Sequence, residues 1–98
     1  MTTVLVRHEV SDYRAWRSAF DAAHQWRQQN GELSCRVFRA AGNPNDLTLM
    51  FEWESLEQAH AFMASDELKA RMLKAGVKGQ PHIDFLNELH TVRRSAAD

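Results

Sequence analysis

The segment "TVLVRHEV", residues 3–10, carries a histidine among valines. Val4, Val6, His8 and Val10 share one parity, so in an extended strand they share one face. An imidazole titrates near neutrality and can take a proton from a substrate. His8 therefore has two readings: a general base or orienting group in an apolar cleft, or a core-edge histidine bonded to a backbone carbonyl. A second histidine, His60, lies in "SLEQAHAFM", residues 55–63, either leaning into the same cleft or solvated on a helix flank. Trp53 closes "LTLMFEW", residues 47–53, as a large core residue or as a flat wall for an aromatic ring. Glu57 to His60 spells E-x-x-H, but that is a di-iron ligand pair only when two copies face each other in a four-helix bundle, and the chain has one copy. Around His8 the second histidine of a zinc H-E-x-x-H motif is absent. No phosphate loop, dinucleotide fingerprint, serine triad or zinc-ligand spacing is present, and no metal site is expected.

These side chains must be positioned by a small scaffold. Ninety-eight residues suffice for one domain, expected over residues 1–90, with a flexible tail at 91–98. A chain this size buries only about two-thirds of its unfolded surface, so self-association is a common remedy. With a net charge of -1 and basic residues interleaved with acids, nothing attracts nucleic acid or an anionic membrane. No apolar run is long enough to span a bilayer, and "MTTVLVRHEV" lacks the apolar core of a signal peptide. Cys35 is the lone cysteine, which excludes an intrachain disulfide and suits a reducing cytoplasm.

The alternation at 3–10 predicts the first strand. Ser11-Asp12 offers an N-cap to a helix with Tyr13, Trp16, Phe20 and Ala23 on one stripe, ending at Asn30-Gly31. Residues 33–40 and 47–53 read as a hairpin joined by the turn "AGNPND". Ser55 with Gln58 fits a capping box for a helix carrying Leu56, Ala59 and Met63 inward, with Phe62 beside that stripe. Ser65-Asp66 restarts it with Leu68, Met72 and Ala75 inward, up to Gly76. "VKGQP" reads as a loop and residues 82–89 as the fourth strand.

The order β-α-β-β-α-β predicts an α+β, ferredoxin-like antiparallel four-stranded sheet with both helical segments on one face. One sheet face is apolar, from Val4 to Trp53, and includes Leu33, Cys35, Val37, Ile83, Phe85 and Leu89. The other mixes Leu5, Phe38, Met50 and Leu86 with Arg7, Arg36, Glu52, His82 and Asp84. Four apolar residues at the strand centres of an outward face mark an interface. Two sheets facing each other would bury them, with Arg7 and Arg36 meeting Glu52 and Asp84, so a homodimer is expected.

The element order, the "W-E-S" at Trp53-Glu54-Ser55 and the helix-break-helix "EQAHAFMASDELKARM" together resemble the antibiotic biosynthesis monooxygenase superfamily over residues 3–89. The resemblance implies a dimeric α+β barrel with a pocket between sheet and helices. It implies cofactor-independent oxygenation of an aromatic or polyketide-like molecule, with polyketide ring closure or ligand binding without chemistry as alternatives. On it, His8, Trp53 and His60 match the pocket positions. His8 or His60 would be the catalytic base, and Trp53 and Phe85 would hold the ring, with Phe51 and Trp16 as further substrate-binding candidates. Haem degradation is disfavoured: His8 stands at the strand-one position and Met63-Ala64 at the position of the iron-ligating histidine.

Overall fold

The computed structural model describes residues 2–95. Eight elements follow in order: β1 (Thr2–Val10), α1 (Tyr13–Ala22), α2 (His24–Gln29), β2 (Glu32–Ala40), β3 (Asn43–Trp53), α3 (Leu56–Met63), α4 (Asp66–Lys74) and β4 (Val77–Leu86). The strands form one sheet in the order β2-β3-β1-β4, every neighbouring pair antiparallel. This is the ferredoxin-like arrangement, with each helical connection divided in two. Among the described residues, no helix is long and apolar enough to cross a membrane.

The helix starts follow their caps. Asp12 accepts from the Ala15 amide, Ser55 from that of Gln58, and Ser65 from that of Leu68. Only half of the expected capping box forms. The Gln58 side chain accepts from the Ser55 hydroxyl at 3.1 Å, not from its backbone amide. The break between α3 and α4 lies where Ser65 predicts it, and the Ser65 hydroxyl also donates to the Phe62 carbonyl. The break between α1 and α2 at Ala23 corrects the single helix expected up to Asn30. No proline, glycine or cap signals it, and α2 has no side-chain cap. The side chain of Arg27, one turn on, donates to the Phe20 carbonyl at 2.7 Å.

Two strand irregularities change which residues face inward. Glu32 pairs with Trp53 and Ser34 with Glu52, so Leu33 is an extra residue in a bulge. Glu32 is therefore buried on the inner face, and Leu33, expected there, is exposed. On the opposite edge β4 begins at Val77, so the segment expected as a loop already pairs with Glu9 and Val10. The register then shifts across Gly79, Gln80 and Pro81, an edge position where a proline without an amide is tolerated. β4 ends at Leu86, and Leu89, expected on the inner face, is 95% exposed beyond it. The hairpin turn shrinks to Ala41-Gly42, because Asn43 to Asp46 already belong to β3. Residues 91–95 form neither helix nor strand, and 96–98 of the expected tail lie outside the described residues.

The core joins Val4, Val6, Val10, Leu47, Leu49, Phe51 and Trp53 of the sheet to Trp16, Ala59, Phe62, Met63 and Leu68 of the helices. Leu56, placed inward by its spacing, is exposed, and Phe62 takes the inward position. Gly31 has φ +111°, and a Cβ there would lie 2.6 Å from the Trp53 indole nitrogen. Only glycine allows both that conformation and that approach. On the outer face Phe38 and Leu86 are each 40% exposed, while Leu5 and Met50, paired across β1 and β3, are half-buried. The polar groups there pair differently from expectation. Arg7 binds Asp46 through two hydrogen bonds, Thr3 donates to Glu52, His82 bonds Asp84, and Arg36 lies over the Phe38 ring.

Candidate active site

A cavity of about 290 Å³ lies between the inner sheet face and the helices. The sheet contributes Val6, His8, Leu49 and Phe51. The helices contribute Phe20, Trp26, Phe62, Met63, Leu68 and Met72 among others, and Arg27, Arg71 and Lys74 complete the charged part of the wall. The lining is overwhelmingly apolar, and the volume is at the low end of small-molecule sites, so it suits a compact ring system.

His8 is the distinctive group in this wall. It is paired opposite Leu47 on β3, just before the register of β4 shifts, and is only 6% exposed. Neither ring nitrogen has a hydrogen-bond partner among the described residues, although both are buried. Buried polar groups are nearly always bonded, so an imidazole whose two nitrogens have no partner among the described residues stands out in this wall. Burial lowers its pKa from the ordinary 6.5, with the nearby Asp46 carboxylate pulling weakly the other way. The imidazole is thus neutral at pH 7 and able to accept a proton. Trp16 meets it edge-on at 5.9 Å and stacks on Phe20 at 4.8 Å. His8 also borders a polar cleft with Arg7, Glu9, Asp46, Lys78 and His82.

The structure separates the residues the sequence grouped. His8 and Phe51 line the cavity, while Trp53, His60, Phe85 and Trp16 do not. Trp53 is fully buried, donates its indole N–H to the Asn30 carbonyl at 2.8 Å, and packs on Phe51 and Phe62. His60 stacks on Phe85 with ring centres 3.9 Å apart, on the exposed side of α3. Trp16 supports the His8 ring from the core, and Phe20 takes its place in the cavity wall. Cys35 is half-buried, and burial pushes its thiol up to about 12, so it stays protonated and unreactive at neutral pH.

Sequence reading missed Arg27. It is 6% exposed, with its Nε 2.8 Å from the Glu32 carboxylate and its guanidinium 3.7 Å from the centre of the Phe20 ring. The pair links α2 to the start of β2 beside the cavity. Its only sequence signal is an arginine and a glutamate five residues apart across Asn30-Gly31, indistinguishable from a surface pair until the bulge at Leu33 turns Glu32 inward. Among the described residues, no cluster of three or more His, Cys, Asp or Glu side chains is arranged to hold a metal ion.

The model of the antibiotic biosynthesis monooxygenase family matches residues 6–72, and the chain belongs to that family. No curated protein matches it. Solved structures share the fold at low identity. A Bordetella bronchiseptica protein bearing the family name superposes with a TM-score of 0.75 at 14% identity, over 91% of this chain and 97% of that one. The cofactor-independent oxygenase SnoaB of Streptomyces nogalater gives 0.70 at 16% identity, over 95% and 97%. The ActVA-Orf6 monooxygenase of Streptomyces coelicolor, in complex with nanaomycin D, gives 0.65 at 18% identity, over 96% and 92%.

Proposed function

We propose that this protein is a small monooxygenase that acts without a bound cofactor on a fused-ring aromatic or polyketide-like molecule. The observation that carries the reading is His8, a buried neutral imidazole with neither nitrogen partnered among the described residues, in the wall of a largely apolar cavity. The substrate is a carbon acid, such as the CH₂ between two aromatic rings of an anthrone, made acidic by the ring carbonyl opposite it. His8 takes one proton from it, and the resulting carbanion passes an electron to dioxygen. Recombination of the two radicals forms a C–O bond, and His8 returns its proton to give a hydroperoxide. Loss of water, breaking the O–O bond and the remaining C–H bond, leaves a carbonyl. One oxygen atom enters the product and the other leaves as water, with the substrate carbon supplying all the electrons. Phe51, Phe20 and Trp26 hold the ring through apolar contact and stacking. The polar cleft on which His8 also borders carries protons to and from solvent.

The fold and the family membership support this reading, as does the oxygenase name of SnoaB. The working form is a homodimer through Leu5, Phe38, Met50 and Leu86 of the outer sheet face. The test is His8→Ala, followed by oxygen uptake on an anthrone-type substrate. A general base is worth roughly 10²- to 10⁴-fold, so kcat/KM should fall by about that factor. Unchanged uptake would remove His8 from the mechanism. Binding or ring closure with no oxygen uptake by the wild type would favour the cyclase or binding alternative. In favour of binding alone, His8 is the one cavity-lining side chain whose ordinary pKa lies near neutrality.

A further inference from the structure

The chain as a whole carries a net charge of -1. The cavity wall does not share that balance: it includes Arg27, Arg71 and Lys74, and no carboxylate. Arg27 is neutralised in place by Glu32. Arg71 and Lys74 are not matched so closely. They stand three residues apart on α4, hence on one side of the helix. Arg71 is held over the Trp26 ring at 4.0 Å, and Trp26 itself lines the cavity. The acid paired with Arg71, Glu67, makes a long contact of 3.4 Å, is exposed, and is not part of the wall. Both cations lie in the last turn of α4, where they also complement the helix dipole. The dipole does not account for the lack of any acid in the wall or for the seating of Arg71 on a cavity aromatic.

We infer that the cavity selects a planar apolar molecule bearing one anionic group, with the rings against Phe51 and Trp26 and the anion held by Arg71 and Lys74 on the α4 side. This rests on reading the cavity as the substrate site and narrows the substrate class. Two cations beside a low-dielectric cavity favour the ionised ligand and also stabilise the negative charge left when His8, on the sheet side, removes a proton. A neutral aromatic of the same shape would make the same ring contacts without that contribution.

The test uses the full-length chain and two probes of nearly equal shape, 2-naphthoate and 2-naphthamide, titrated by tryptophan fluorescence at low ionic strength. The expected result is that naphthoate binds roughly five- to tenfold more tightly than the amide, the size of one or two partly exposed charge pairs. The difference should shrink with added salt. In the variant carrying Arg71→Gln and Lys74→Gln, both at exposed positions of α4, the two probes should bind with equal affinity. Equal binding of the two probes by the wild type would overturn the anion preference and leave the cavity reading standing. A preference that survives in the double variant would overturn the role of these two residues. Failure of both probes to bind would overturn the preference together with the cavity as a substrate site.

Discussion

At the scale of the residue, one side chain links stability to the proposed chemistry. His8 has its pKa lowered by burial, so the unfolded chain binds this proton more readily than the folded one. Its contribution to stability is complete above the ordinary value of 6.5 and is lost as pH falls from there through the lower folded value. Below the folded value the loss is constant. Other groups also titrate on the acid side, so the informative quantity is the difference between variants. His8→Phe should lose less stability than the wild type between pH 7.5 and pH 5 in urea unfolding. Parallel curves for the two proteins would contradict a lowered pKa. The same two nitrogens that the proposed chemistry would use are buried polar atoms with no partner among the described residues. Natural proteins accept such local conflicts mainly at functional positions.

At the scale of the element, the break at Ala23 and the bulge at Leu33 belong to one device. The break divides α1 from α2, and the bulge turns Glu32 inward to meet Arg27. Arg27 then bonds Glu32 and the Phe20 carbonyl and covers the Phe20 ring, so α1, α2 and β2 are tied at one corner of the cavity. Removing one member of a buried pair strands the other charge. Glu32→Leu should therefore cost about 3–5 kcal/mol. Adding Arg27→Met should recover most of that loss, because an apolar pair of similar volume replaces two desolvated charges. A double-mutant cycle by chemical denaturation measures both numbers. A cost below about 1 kcal/mol for the single change would show that the pair is not truly desolvated.

At the scale of the whole molecule, the helices cover one sheet face and leave the other open. Phe38 and Leu86 are partly exposed there, beside the half-buried Leu5 and Met50. The Arg7–Asp46 and His82–Asp84 pairs are already made within the chain, so the proposed association of this face would have to be driven by apolar burial. Sedimentation should give about twice the 11.3 kDa of one chain at micromolar concentration. Met50→Glu should return it to the monomer by placing a charge at the centre of the patch. A wild-type mass of 11.3 kDa would rule the dimer out.

Much of the fold was legible because its signals are local. The parity of Val4, Val6, His8 and Val10 put the imidazole on the inner face, and the oxygens of Asp12, Ser55 and Ser65 marked three helix starts. The family resemblance rested on the same periodic segments. What a two- or four-residue repeat cannot encode is an interruption whose cause lies elsewhere in the fold. The extra residue at Leu33, the shift across Gly79 to Pro81 and the break at Ala23 depend on partners from other elements, and each altered which side chains meet. Trp53 and His60 are companions of His8 in the sequence only through the family resemblance, which matches all three to pocket positions. Tertiary packing gave Trp53 to the Asn30 carbonyl and His60 to Phe85, and brought Phe20, Trp26 and Arg71 to the cavity instead. The sequence by itself determined the sheet, its inner face and the place of His8, since these follow from backbone periodicity. Only the tertiary structure decided what stands opposite His8, because a cavity is a property of the distance between layers and not of any one of them.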